Sequence, residues 1–256
     1  MPRRRLGAVL LLPGAVAAEV DGLRRACGDP ALGRVPSHIT LVPPVNVRGD
    51  DLSAALTRLR TAAAAVAGPL ELVLGPPASF LPVNPVLYLE VSGPDVSTVH
   101  RLRDRVFAFP LERRLTWPFV PHVTVADGAD PARIDAAVVA LSDFAVPATL
   151  ERVHLLEEGE HRTWRPLADC PLGPPDLVGR GGFELELTTS ELLDPEAAEF
   201  LTATAYGEDL GGPPFTVARH RWTVVGVAGA VDTLVADEHR DHGVADHLDR
   251  RRRAIG

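Results

Sequence analysis

Along residues 1–173 the apolar positions switch between two rhythms, and the switching itself repeats. Residues 8–12 form a short apolar run of strand length, and residues 15–26 put Val16, Val20 and Leu23 on one helical face. A strand through His38 follows. Next comes a helix from Asp51 with Leu52, Leu56, Leu59, Ala63 and Val66 at helical spacing, then a strand over 70–74. The second half runs the same course: a strand over 86–91 and a helix over 96–107 through Val99, Leu102 and Val106. A strand through His122 precedes a helix from Asp130 through Ile134, Val138 and Leu141. Residues 153–156 read as a closing strand, with 164–167 as its hairpin partner. This doubling predicts an α+β, bilobal, pseudo-symmetric domain whose two histidine strands face each other across a groove.

The centres of the two halves are nearly the same word. Ser37-His38-Ile39-Thr40-Leu41-Val42-Pro43 and Pro121-His122-Val123-Thr124-Val125-Ala126-Asp127 each hold a His-apolar-Thr-apolar tetrad. Side chains alternate faces along a strand, so each imidazole shares a face with its threonine while the apolar residues go to the other. Two imidazoles titrating near neutrality supply an acid and a base, and two hydroxyls supply donors for phosphate oxygens. A single His-x-Thr is weak evidence; two copies in matching surroundings point to a site built around His38 and His122, with Thr40 and Thr124 on the phosphate. Such a pair predicts a bell-shaped dependence of rate on pH. Arg113, Arg114, Trp117 and Phe119, just before the second tetrad, are candidates either for contacting substrate phosphates and bases or for a solvated arginine pair and packing aromatics. His100, His154 and His161 lack a partnering pattern and read as surface or structural, and Arg3–Arg5 as a solvated terminus.

Composition narrows the class. The chain has 256 residues, 46% of them hydrophobic, and no apolar run long enough for a membrane span. The short apolar run after Arg3–Arg5 ends at Pro13-Gly14 and reads as a first strand rather than a signal peptide. Two cysteines make no disulfide framework, so a reduced, cytoplasmic setting is expected. All 26 basic residues are arginine, and charge is unevenly spread: residues 1–173 are nearly neutral at −1, while residues 174–256 carry −7 of the total −8. The first part can host a basic cleft for an anion; the second is a poor nucleic-acid surface.

The tetrads, with Pro36, Pro43, Pro44 and Pro121 around them and the Phe119-Val120-Pro121-His122 entry, resemble the HxTx motifs of the 2H phosphoesterases. The resemblance is to the bacterial branch of 2′-5′ RNA ligases and RNA 2′,3′-cyclic phosphodiesterases, and covers about residues 6–172. It implies a bilobal 2H phosphoesterase fold and metal-independent catalysis without a cofactor. His38 and His122 would be the acid and base, Thr40 and Thr124 the phosphate ligands, and RNA ends or small cyclic nucleotides the substrates. A non-catalytic RNA-end binder would keep the same groove.

The segment 170–176 breaks regular structure and coincides with the charge shift, giving a first domain over 1–173, a linker over 174–182 and a second segment over 183–256. In the second segment, strands are expected over 183–187, 215–219, 223–231 and 233–236. Helices are expected over 194–205, with Asp194 as N-cap, and from about Gly243. Arg240, Gly243 and Ala245 match the Arg-x-x-Gly-x-Ala core of the acetyl-CoA motif of GNAT acetyltransferases. That resemblance implies a partial α/β GNAT-like segment and, as a rival function, an N-acetyltransferase with the first domain as accessory. The strands and helix that would complete such a fold are absent, so a dimer, docking on the first domain or further sequence would cover its apolar face. His239, His242 and His247 lack zinc-ligand spacing.

Overall fold

Strand β1 (Arg3–Leu11) separates the two faces of the molecule. Its even positions Leu6, Ala8 and Leu10 are fully buried in the main core, whereas Arg3, Arg5, Gly7, Val9 and Leu11 share the opposite face. The computed structural model describes residues 3–174 and, beyond them, the backbone of residues 176–178, 184–192, 217–226 and 229–239. β1 pairs antiparallel with β2 (His38–Arg48), so the solvated arginine terminus expected from the sequence is strand instead. Arg4 is bonded to Glu157 and Arg5 to Glu158, on the neighbouring strand β7 (Arg152–Glu158).

The predicted repeat is present as β1-α1-β2-α2-β3 followed by β4-α3-β5-α4-β6. The helices are α1 (Gly14–Cys27), α2 (Leu52–Ala64), α3 (Val96–Val106) and α4 (Pro131–Ala140). The remaining strands are β3 (Leu70–Ser79), β4 (Val86–Ser92), β5 (His122–Asp127), β6 (Val146–Leu150) and β8 (Trp164–Pro171). The sheet order is β8-β7-β1-β2-β5-β4-β3-β6, so β1 and β2 form one lobe with the closing hairpin, and β4 and β5 form the other with β3 and β6. β6 is not expected from the sequence, and β3 runs five residues beyond its expected end. Gly75, at a φ of +114°, lets β3 continue: a Cβ there would lie 2.1 Å from the Phe144 carbonyl oxygen.

Two of the helices cross between lobes. α1 leaves β1 but packs on β5, and α3 leaves β4 but packs on β2; α2 lies under β7 and β8, and α4 under β3 and β4. α1 ends where Gly28 takes a left-handed conformation, and α4 begins where the Asp130 carboxylate accepts from the Ala132 and Arg133 amides. All four helices cover one face of the sheet. Ile39, Val123 and Val125 are fully buried there and Leu41 nearly so. Burying such a side chain contributes about 1.5–3 kcal/mol, so a one-residue slip of either histidine strand is strongly disfavoured. That register leaves His38, Thr40, His122 and Thr124 on the open face.

The histidine strands are therefore neighbours in one continuous sheet rather than strands facing across a groove. In the second segment, β10 (Glu184–Leu192), β11 (Val217–Gly226) and β12 (Gly229–His239) form an antiparallel ladder. The expected strands over 215–219 and 223–231 are redivided: one strand runs to Gly226, and Gly229 opens the next. Within the proposed linker, β9 (Asp176–Val178) pairs with β10. The expected helices, and Arg240, Gly243 and Ala245, lie outside the described residues.

Candidate active site

β2 and β5 meet at a single registered pair, Ile39 opposite Val123, each the residue after a histidine. Antiparallel pairing about that point sets His38 beside Thr124 and Thr40 beside His122. The two histidines then stand on a diagonal, about 7–8 Å apart for a regular ladder. The structure thus brings the four predicted site residues together, as an antiparallel square of alternating imidazole and hydroxyl.

Both imidazoles are held the same way. His38 Nδ1 lies 2.6 Å from the Pro36 carbonyl oxygen and His122 Nδ1 lies 2.7 Å from that of Val120. A carbonyl only accepts, so each Nδ1 carries the proton and the neutral ring keeps a lone pair on Nε2. The Thr40 hydroxyl lies 3.0 Å from His38 Nε2 and donates to it. When His38 is protonated, the same contact reverses and Nε2–H donates to Thr40.

The environments of the two rings differ. His38 is pushed down to about 4, first by burial and then by the positive charges of Arg24 and a protonated His122, against the opposing bond to Pro36. His122 is also lowered by burial, against its bond to Val120. Its ring stands in an aromatic corner: Phe80 meets it edge-on at 5.1 Å and Tyr88 at 5.3 Å, and these two rings stack at 4.2 Å. Tyr88 pairs with Thr124 across β4 and β5, which places it on the open face, and burial raises its phenol pKa.

Arg24 was not foreseen as part of the site. It is 4% exposed, donates to Asp29 at 2.8 Å, and reaches Asp21 and the Ser37 hydroxyl at 3.0 Å each. Ser37 in turn donates to Asp21 at 2.7 Å. This network ties the end of α1 to the residue before His38. A sequence signal existed: Arg24 follows Val20 by four positions, on the stripe α1 buries. Phe80 and Tyr88 carried no comparable signal, because only strand pairing brings them to His122.

Of the predicted RNA contacts, Arg113 is exposed and donates to the Pro44 carbonyl at 3.0 Å, beside a cleft of about 490 Å³. Arg114 and Trp117 are exposed. The Phe119 ring meets His100 edge-on at 5.2 Å and lies 5.3 Å from the Arg103 guanidinium. His154 has a mostly buried side chain with Nε2 3.8 Å from the Asp169 carboxylate, and burial pushes it down to about 4. Among the described residues, no group of three or more His, Cys, Asp or Glu is placed to hold a metal ion, and no helix is long and apolar enough to cross a membrane.

The family described as the 2′-5′ RNA ligase superfamily matches residues 12–162. A Bacillus anthracis protein named "Putative phosphoesterase" is 31% identical over 163 residues, covering 62% of this chain and 92% of that protein. A Bacillus cereus protein of the same name is 32% identical with the same coverage. Among solved structures, Escherichia coli LigT complexed with 3′-AMP is 19% identical, covers 66% of this chain and 98% of its own, and has a TM-score of 0.49. The Thermus thermophilus protein TT0787 is 21% identical, with 66% and 97% covered and a TM-score of 0.48. The family match ends before the second segment, so it lends the acetyl-CoA reading no support.

Proposed function

The chain belongs to the 2′-5′ RNA ligase superfamily of phosphoesterases, and on that premise we propose that it hydrolyses 2′,3′-cyclic phosphate ends of RNA, or related 2′-5′ linkages, by paired-histidine acid-base catalysis. The observation that carries the reading is the square of His38, Thr40, His122 and Thr124 on the open face, with both Nδ1 atoms committed to carbonyls, so that Nε2 is the nitrogen that exchanges protons on each ring, on His38 against the Thr40 hydroxyl. The chemistry of the family uses no metal or cofactor, and none is invoked.

In hydrolysis a neutral imidazole takes a proton from water as the water oxygen bonds to phosphorus. The bond from phosphorus to one ribose oxygen breaks, and the protonated imidazole delivers its proton to that oxygen. Threonine hydroxyls donate to the non-bridging oxygens, where charge accumulates. The positive charge of Arg24 disfavours protonation of His38, which suits that ring to the base and His122 to the acid. Opening toward the 3′ oxygen leaves a 2′-phosphate.

The test is incubation of the protein with a short RNA ending in a 2′,3′-cyclic phosphate, in EDTA, beside His38→Ala and His122→Ala. Turnover by the wild type that falls by orders of magnitude in both variants is expected. Saturable binding without product would replace the enzyme with an RNA-end binder. Turnover indifferent to either histidine would remove the mechanism.

A further inference from the structure

The open face continues past the catalytic square. In the β1–β2 register, Leu11 opposes His38, Val9 opposes Thr40, Arg5 opposes Asn46 and Arg3 opposes Arg48. The two bulges in this ladder fall in β2, so β1 alternates without interruption and Arg5 and Arg3 share the face of Val9 and Leu11. Partners directly opposite in a ladder point the same way, which brings Asn46 and Arg48 to that face with Thr40. Val9 lies four residue steps along β1 from Arg5, about 13 Å along the strand.

At that distance lies the cleft of about 490 Å³ lined by Arg5, Asn46, Glu112 and Arg113 with Pro44 and Val45. Arg5 keeps half of its side chain exposed while paired with Glu158 at 2.8 Å, and Arg48 is two-thirds exposed beside Asp50 at 3.6 Å. Arg113 donates one nitrogen to the Pro44 carbonyl at 3.0 Å, which holds its guanidinium at the cleft. Glu158 is only 19% exposed and stays paired, so a phosphate adds to the exposed part of the Arg5 guanidinium without displacing it. Between the square and the cleft the floor is Gly7. A Cβ there would stand 3.6 Å from the Trp164 ring, so this half-buried indole lies beside the path on the same face.

Resting on the phosphodiesterase reading above, we propose that Arg5, Asn46 and Arg113 form a second phosphate subsite on the catalytic face, which holds the backbone of a single RNA strand whose end occupies the histidine square. The cleft is too far for the scissile phosphate and suits a neighbouring phosphate of the same strand. The preferred substrate is accordingly an oligonucleotide end and not a mononucleotide. Arg3 and Arg48 extend the same face for longer strands.

Binding of 5′-labelled RNAs of one, two and four nucleotides, with 2′-phosphate ends, is measured by fluorescence anisotropy, which needs no turnover. Wild type is expected to gain at least tenfold in affinity between one and four nucleotides. Arg113→Gln and Asn46→Asp, both at exposed positions, should remove most of that gain. Arg113→Gln should also flatten the dependence of log K on log salt by about 0.7, the contribution of one contact to a single strand. Affinity independent of length, or a gain that survives both variants, overturns the subsite even where cyclic phosphates are hydrolysed. A length effect lost in the variants supports it even where hydrolysis fails.

Discussion

Replacing His38 by glutamine should flatten the acid sensitivity of the fold. The native ring is held neutral, pushed from about 6.5 down to about 4 by burial and by the positive charge of Arg24. In the unfolded chain it takes up a proton as the pH falls through 6.5, whereas the native ring resists until about 4. Protons therefore favour the unfolded state in that window. The stability this neutral ring confers is whole above pH 6.5 and is lost as the pH falls toward 4. At about 1.4 kcal/mol per unit, the loss is about 2 kcal/mol between pH 8 and pH 5, approaching about 3.5 kcal/mol below both values. The ring keeps an exposed edge, so screening makes these upper figures. Urea denaturation followed by circular dichroism at pH 8 and pH 5 measures the difference directly. His154, also near 4, is present in both proteins and cancels. His38→Gln should lose about 2 kcal/mol less than wild type over the interval, and parallel pH dependences would refute the reasoning. So would an NMR titration placing the native His38 midpoint at 6.5.

Arg24→Met leaves Asp29 buried without its counter-charge, so it should cost about 3–5 kcal/mol in urea denaturation and raise the His38 titration midpoint in NMR. An unchanged midpoint in a folded variant would detach Arg24 from the site. Phe80→Ala opens one wall around His122 to water, and the His122 midpoint should rise toward the ordinary range while that of His38 stays. Thr124→Val removes one donor to the phosphate oxygens and should lower kcat/KM for a cyclic phosphate end by about 10²–10³-fold with little change in Tm. Leu89→Ala empties a fully buried position of β4 in the core and should cost about 2–5 kcal/mol, read from the shift of the urea midpoint.

Much of the chain could be read before folding because its information is local. His38-Ile39-Thr40-Leu41 and His122-Val123-Thr124-Val125 state which face each residue takes, since strand alternation needs only nearest neighbours. The repeat of strand, helix, histidine strand and helix followed from apolar spacing within each segment. The strand face that the two imidazoles share with the two hydroxyls, and the division into two halves, were thus readable in the sequence alone. Pairing of distant segments was not: the antiparallel meeting at Ile39 and Val123, and the exchange of α1 and α3 between lobes, depend on which apolar faces fit together. Phe80 and Tyr88 reach His122 through β3–β4–β5 pairing, and Arg24 reaches Ser37 through a turn that buries its charge. Arg5 and Asn46 join the catalytic face because β1 and β2 are in register. The sequence determined which residues share a strand face through short-range alternation; the tertiary structure alone decided their partners, because long-range packing sets the distances over which charge, burial and hydrogen bonding act.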